Sequence, residues 1–456
     1  MRSTFSRATE MLEPPAPAPG ADARTLPRLL RGAGADGAPL TLDEHLATHG
    51  AVALERKRRR REAPPLIELV ERAGLRGRGG ASFPTATKML AVAAARGRAA
   101  VVVNATEGEP ASLKDRTLCQ LAPHLMLDGA QLAAQAVGAD EAIVAVCESA
   151  SASIEALDAA IEERRGLGGT RLRLRTAPPG YVVGQESALV NHLSGRPALP
   201  SFTPPLPFEQ GVARRPTLVS NAETYAHIAL IARHGASWYR ALGTSAQPGS
   251  ALVTLSGPVA SPAVYEIEHG ASLRELIDAA GGTTAPVRAA LLGGYAGSWI
   301  DGDYLRGVAL SDEHLASHGA TLGAGVVALL SCEACPVAET ARVTGWLAGE
   351  SSGQCGPCVN GLGALASTIA EIASGDAGGD ATRRVQRLTQ LVRRRGACGH
   401  PDGAARFVHS ALETFAPEFT DHARHGRCEA CAAPAELPLP THPHGGSPRA
   451  RKVAAR

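Results

Sequence analysis

The 456-residue chain has little lysine, few aromatics and almost no net charge. Only four of its 46 Lys and Arg side chains are lysines (Lys57, Lys88, Lys114, Lys452), aromatics make up 4%, and the formal net charge is +2. So weak a global field excludes nucleic acid or a charged membrane surface as the main partner. Long apolar runs are also missing: no stretch reaches the roughly 18 residues of a membrane span, and the start MRSTFSRATEMLEPPAPAPG lacks the apolar core of a signal peptide. The expectation is a soluble cytoplasmic protein with no direct membrane insertion. In a reducing compartment the nine cysteines do not read as a disulfide framework; an odd number cannot all pair within one chain, so metal is the more natural use.

What is present is a length suited to about three domains, with 50 glycines and 32 prolines punctuating ordered elements. Residues 1–64 read as a weakly ordered arm ending in the run Arg56-Lys57-Arg58-Arg59-Arg60-Arg61, a solvated basic segment without the interleaved aromatics of a nucleic-acid patch. From Pro65 strands alternate with helices: LIELVERAGL, strand Val101 to Val103, helix His124 to Val137, strand Ala142 to Val146, helix Ile154 to Arg164 and the alternating Arg171 to Arg175. That order predicts a layered α/β domain with a mainly parallel sheet over 65–244. A small α+β unit follows over 245–325, with two strands in SALVTLSGPVASPAVYEIEH, a Ser272/Glu275 capping box opening LRELIDAA, and a third apolar run, VRAALLGG, closing it. Four short helices (Val337–Leu347, Leu362–Ala373, Thr382–Arg394, Ala404–Phe415) predict a helical domain over 326–416, and 417–456 reads as a flexible tail.

Two loops carry chemistry. Gly74-Leu75-Arg76-Gly77-Arg78-Gly79-Gly80-Ala81-Ser82-Phe83-Pro84-Thr85, with Lys88 just beyond, combines glycines that let backbone N–H groups approach an anion with cations for charge-assisted bonds to phosphate. A flexible basic turn is the plainer reading, although it has no need of Phe83 and Lys88. Strand AAVVV then ends in Asn104-Ala105-Thr106-Glu107-Gly108-Glu109-Pro110, where an α/β sheet offers its ligand crevice. Its carboxylates suit ribose hydroxyls or a carboxamide, and spacing alone does not separate that use from an acidic turn.

GLRGRGGASFPTATK, NATEGEPASLKDR, PHLMLDGAQLAAQAVGA, YVVGQESAL, PPLPFEQG and VSNAET, in that order, resemble the FMN- and NADH-binding flavoprotein subunit of respiratory complex I and its relatives in NAD-linked hydrogenases and formate dehydrogenases. The resemblance spans about 65–415. It implies a flavin-binding α/β domain, a β-grasp-type soluble-ligand-binding domain and a helical iron-sulfur domain. It also implies an FMN-dependent NADH oxidoreductase passing electrons to a [4Fe-4S] cluster and on to a ferredoxin-like or thioredoxin-like iron-sulfur partner. Position by position, it places Gly77, Arg78, Gly79, Gly80 and Lys88 at the phosphates and Phe83 against the nicotinamide nucleotide. Asn104, Glu107, Tyr181, Gly184, Ser220, Asn221 and Thr224 fall in the flavin and NADH pocket, with Glu109 and Glu186 as its catalytic carboxylates. Thr106 stands where the family usually has Asp, Gln185 where it has Glu, and Leu206 where an aromatic often contacts adenine. These departures bear on nucleotide affinity more than on flavin binding.

The cysteines divide under the same resemblance. Cys355, Cys358 and Cys398 match three ligands of the cluster, while Ser352 replaces the first. An alkoxide is a harder ligand than a thiolate, so Ser352 predicts an altered potential, substitution by another ligand, or a labile or absent cluster. Two Cys-Glu-Ala-Cys motifs, Cys332/Cys335 and Cys428/Cys431, can together supply four thiolates to zinc, or stand as a strand-end pair and an exposed tail pair. Cys428 or Cys431 can also complete the cluster in place of Ser352. Cys119 and Cys147 read as core residues. A second class of function stays open: a non-catalytic scaffold that keeps the fold and binds flavin or zinc weakly, favoured by Thr106, Gln185 and Ser352.

Overall fold

The structure is a computed structural model that describes residues 25–33, 37–54 and 65–440. The arginine-rich run 56–61 and the end of the tail lie outside the described residues. Two sheets and a helical region follow one another along the chain.

The first region runs α1 (Leu42–His49), α2 (Pro65–Ala73), α3 (Thr85–Ala94), β1 (Ala99–Ala105), α4 (Lys114–Leu121), α5 (Pro123–Val137), β2 (Ala139–Cys147), α6 (Ser151–Glu163), β3 (Arg171–Ala177), α7 (Glu186–Leu193), β4 (Thr217–Asn221) and α8 (Ala222–Tyr239). All neighbouring strands pair parallel in the order β3-β2-β1-β4. The apolar run Ala99 to Val103 is buried throughout, as a parallel strand covered on both faces requires. Strand β3, with its alternating arginines, is the half-exposed edge. The chain leaves β1 toward β2 and β3 on one side and returns to place β4 on the other. The carboxyl ends of β1 and β4 therefore flank a switch point, where Asn104 and Asn221 stand in register.

The second sheet holds β5 (Ser250–Ser256), β6 (Ala263–Glu268), β7 (Val287–Leu292), β8 (Ser298–Asp301) and β9 (Val326–Ser331) in the order β6-β5-β9-β7-β8. Helix α9 (Leu273–Ala279) opens on the expected Ser272/Glu275 capping box, and the short α10 (Asp312–Ala316) precedes β9. Strand β9, beyond the expected boundary at 325, is the central strand of this sheet, parallel to β5 and antiparallel to β7. An isolated apolar run does not reveal which sheet it completes.

Helices α11 (Pro336–Gly349), α12 (Leu362–Ser374), α13 (Ala381–Val392) and α14 (His400–Thr414) answer the four expected ones, and α15 (Ala416–His425) is additional. Their apolar faces share one core with Leu291 and Leu330 of the second sheet.

The described parts of the arm and tail are packed. Leu29 is fully buried, and the backbone N–H groups of Arg28 and Leu29 donate to Glu266 on β6. His45 of α1 pairs with Asp128 on α5 at 2.7 Å, and Asp128 also binds Arg164 and Arg233. In the tail, Leu437 is buried and Glu436 accepts from the backbone N–H of Ser331 at 2.9 Å. These long-range contacts leave no local periodicity, so composition alone reads the segments as loose.

Candidate active site

A cavity of about 660 Å³ opens at the carboxyl edge of the parallel sheet, within the size range of small-molecule sites. Its walls come from the Gly-rich loop between α2 and α3, the ends of β1 and β4, the segment Tyr181 to Glu186 at the start of α7, the turn after β7, the segment Thr321 to Ala324 before β9, and the segment Cys398-Gly399-His400 that opens α14.

The loop is pinned by Gly77 N–H donating to the Phe83 carbonyl at 2.9 Å and by an Arg76–Pro84 bridge. Gly80 adopts φ +95°, and a Cβ on Gly79 would lie 3.4 Å from Cβ of Asn221. Glycine thus lets the loop lie close over the strand ends. Phe83 remains about half exposed beside the cavity.

Lys88 on α3 reaches back to Glu186 (2.9 Å) and donates to the Val219 carbonyl (2.9 Å), both side chains being partly open to solvent. Asn104 donates to the Gly184 carbonyl at 2.8 Å, tying β1 to the segment before α7. Gln185 caps α7, accepting from the N–H groups of Ser187 and Ala188, while Thr106 donates to Asn104 Oδ1 at 2.8 Å. Two of the three departures from the family pattern, Thr106 and Gln185, are thus absorbed by local hydrogen bonds.

The acidic segment is held by its surroundings. Glu107 accepts from the N–H groups of Asp115 (2.8 Å) and Arg116 (3.1 Å) at the start of α4, and from the Ser112 hydroxyl. Glu109 accepts from Tyr295 N–H at 2.8 Å and from Ala111 N–H at 3.3 Å. Burial pushes both carboxyls up to about 7; for Glu107 the charge of Asp115 adds to it, while in both cases the backbone donors oppose it. Lys114 is buried among Asp115 (2.8 Å), Glu223 (2.9 Å) and Asn221 (3.1 Å). Burial alone would lower its pKa, but the two carboxylates outweigh it and raise it above the usual lysine range. Glu223 is likewise buried, yet the nearby Lys114 and the His227 contact hold its carboxyl well below the usual range.

Of the residues carried over from the resemblance, Gly77, Arg78, Gly79, Gly80, Phe83, Lys88, Asn104, Glu107, Glu109, Tyr181, Gly184, Glu186, Ser220 and Asn221 line this one cavity, together with Cys398. Thr224 does not line it: it is fully buried behind the loop and accepts from Arg78 N–H at 2.9 Å. The Arg78 guanidinium donates to the Tyr239 hydroxyl and the Ser250 carbonyl. Sequence reasoning passed over Lys114, His400 and Arg406, which also line the cavity. Lys114 had a signal, as one of four lysines and inside a quoted motif; His400 and Arg406 arrive from a distant helix and had none.

Residues 70–230 match the Nuo51 FMN-binding domain, 252–294 the SLBB domain and 338–422 the NADH-ubiquinone oxidoreductase-F iron-sulfur binding region. The F 2 subunit of the NADH-quinone oxidoreductase of Rhizobium meliloti (strain 1021) is 32% identical over 378 residues, covering 80% of this chain and 90% of its own. The chain belongs to the family of NADH-quinone oxidoreductase flavoprotein subunits. The NADP-reducing hydrogenase subunit HndC of Solidesulfovibrio fructosivorans is 29% identical over 407 residues, covering 86% of this chain and 82% of its own. The crystal structure of an NAD+-reducing [NiFe]-hydrogenase in the H2-reduced state superposes with a TM-score of 0.73 at 32% identity. That match covers 80% of this chain, which spans 64% of the hydrogenase chain.

The side chains suit the cofactors of this family. Gly77, Gly79, Gly80 and Gly184 line the cavity without side chains of their own, leaving room for a flat ring system; a Cβ on Gly184 would come within 2.8 Å of Thr106 Oγ1. In the iron-sulfur binding region Cys358 sits on a π-helical turn, Pro357–Gly361, with Ser352 Oγ 3.9 Å from its sulfur. Burial raises the Cys358 and Cys398 thiols, and Cys355 adds to both. The three thiols are the soft donors that an iron-sulfur cluster takes, and the Ser352 hydroxyl beside them is a harder one. Tyr181 connects the two regions: its N–H donates to Glu350 at 2.7 Å, and its ring packs against Trp346 and His400.

The two Cys-Glu-Ala-Cys motifs meet, although not as four thiolates. Cys335, Cys428 and Cys431 gather with His422, whereas Cys332 is exposed and outside the group. A histidine on the helix preceding the Cys428/Cys431 pair would not be sought from cysteine spacing.

Proposed function

We propose that the chain oxidises NADH at FMN in the cavity described above and delivers the electrons singly to a [4Fe-4S] cluster on Cys355, Cys358 and Cys398, with Ser352 at the fourth position. The observation that carries this reading is that Cys398 lines the same cavity as the Gly-rich loop, Asn104 and Asn221. A flavin supplies the step between two-electron and one-electron carriers. In this chain Lys88 and the loop backbone bind phosphate, Asn104 and Asn221 orient the ring at the switch point, and Glu109 and Glu186 face the reacting nucleotide. Tyr181, His400 and Trp346 pack the path toward the cluster and exclude water.

The next carrier is a ferredoxin-like or thioredoxin-like iron-sulfur protein in a multi-subunit assembly. The reading places the protein in the cytoplasm; among the described residues no helix is long and apolar enough to cross a membrane. The test is anaerobic purification, a visible spectrum, and addition of NADH. Flavin absorbance that bleaches over a broad iron-sulfur shoulder is expected. A colourless protein that cannot be reconstituted with FMN overturns the reading and favours the non-catalytic scaffold.

A further inference from the structure

The gathering of Cys335, His422, Cys428 and Cys431 lies outside the cavity and outside the three cluster cysteines. Cys335 caps the start of α11, His422 belongs to α15, and in the tail Cys428 precedes and Cys431 lies within a short 3-10 turn, Glu429–Ala432. The ligand atoms all lie within 4.8 Å of one another. The sulfurs of Cys428 and Cys431 are 3.7 Å apart and those of Cys335 and Cys431 3.5 Å apart; His422 Nε2 is 3.5 Å from Cys335 and 3.9 Å from Cys431. A tetrahedral ion with bonds of about 2.3 Å to sulfur and about 2.0 Å to nitrogen has edges of about 3.8 Å between sulfurs and about 3.5 Å between sulfur and nitrogen. The observed edges match a single ion. A [4Fe-4S] cube puts a different iron behind each thiolate and spreads the ligands farther apart.

We propose that these four residues form a mononuclear, four-coordinate zinc site that clamps the C-terminal strap, residues 426–440, onto the helical region. Three thiolates and one imidazole are the donors zinc takes in structural sites, and a full set of four leaves no open position for a substrate. Cys335 is oriented for this role: its sulfur accepts from Ala338 N–H at 3.4 Å, at the helix N-terminus where negative charge is favoured. The strap needs such a clamp, because between 426 and 440 only Leu437 is buried. Beyond the ligands it is held by Leu437 in the apolar core, by Ala430 and Leu439 packed partly against that core, and by polar contacts of Glu436 with Ser331, the Leu437 N–H with Glu339 and the Pro438 carbonyl with the Tyr295 hydroxyl. Tyr295 in turn donates its N–H to Glu109. The clamp therefore steadies a residue that holds one wall of the cavity.

The test is elemental analysis of the full chain purified without chelators, beside Cys428→Ser, His422→Gln and the control Cys332→Ser. One zinc per chain is expected in the wild type and in the control. In the two ligand variants zinc should fall about tenfold or more, with iron and flavin content unchanged and amide exchange over 426–440 accelerated. Cobalt-loaded wild type should show the intense visible bands of a tetrahedral thiolate site, which keeps the proposal testable if a variant fails to fold. Wild-type protein without zinc, equal zinc in ligand variants and wild type, a Cys428–Cys431 disulfide found by mass, or a single iron at the site overturns it.

Discussion

Glu109 is buried against two backbone donors, with no cation bonded to it among the described residues, and its carboxyl is pushed up to about 7 from an ordinary 4.5. A raised carboxylate binds its proton more tightly folded than unfolded. Its stabilising contribution is therefore full below about pH 4.5 and is lost as pH rises through about 7. Unfolding of the flavin-free protein in urea should show stability falling between pH 5 and 8, and Glu109→Gln should remove on the order of 3 kcal/mol of that fall at most; an identical pH slope in the variant contradicts the assignment. Lys88, tied to Glu186 at the open side of the site, is expected to contact nucleotide phosphate. Lys88→Ala should raise the NADH concentration for half-saturation about tenfold, the loss of one hydrogen bond to a charged group, and unchanged saturation argues against the phosphate role. At the cluster, Ser352→Cys restores a fourth thiolate. It should raise iron occupancy or stability toward air, and the same iron content and spectrum in both proteins would mean that Ser352 does not limit the site.

At the scale of elements, α5 and α8 pack closely together under the sheet. Gly129 on α5 makes that approach possible: a Cβ there would sit 1.7 Å from the Tyr225 carbonyl oxygen of α8, a backbone atom that cannot rotate away. Gly129→Ala should lower stability by about 3 kcal/mol or more, above the ordinary range for overpacking, read as a fall in the thermal midpoint; an unchanged midpoint contradicts the packing. Behind these helices, Asp128 gathers His45, Arg164 and Arg233 into a buried ionic cluster that fastens α1 to α5. Similarly, β9 turns two antiparallel pairs into one sheet by pairing with β5 and β7 at once.

Across the whole molecule, function depends on regions distant in sequence sharing one wall. Cys398 and His400 come from the helical region, Asn104 and Asn221 from the parallel sheet, and Gly293 from the turn after β7 of the second sheet. If electrons leave the flavin toward this side, Cys398→Ser should retain flavin bleaching by NADH but lose the low-temperature electron paramagnetic resonance signal of the reduced cluster. An unchanged cluster signal removes Cys398 from the ligand set.

Much of this is legible in the sequence. The buried run Ala99 to Val103, the 3.6-residue spacing of the buried Leu66, Leu69, Val70 and Ala73 on α2 and the Ser272/Glu275 capping box are local, because backbone hydrogen bonding and side-chain alternation act over a few residues. The long ordered motifs from the Gly-rich loop to VSNAET also carry most of the cavity lining. What depends on chain segments meeting in space is not legible. Thr224 shares a motif with Ser220 and Asn221, yet helix geometry turns it behind the loop. His400 and Arg406 join the cavity only because α14 docks there, and Cys335 finds His422 rather than Cys332 beside it. Residue types and local order follow from the chain's own pattern. Which of them become neighbours is decided by tertiary packing, since burial and Coulomb interaction depend on distance in space and not on separation along the chain.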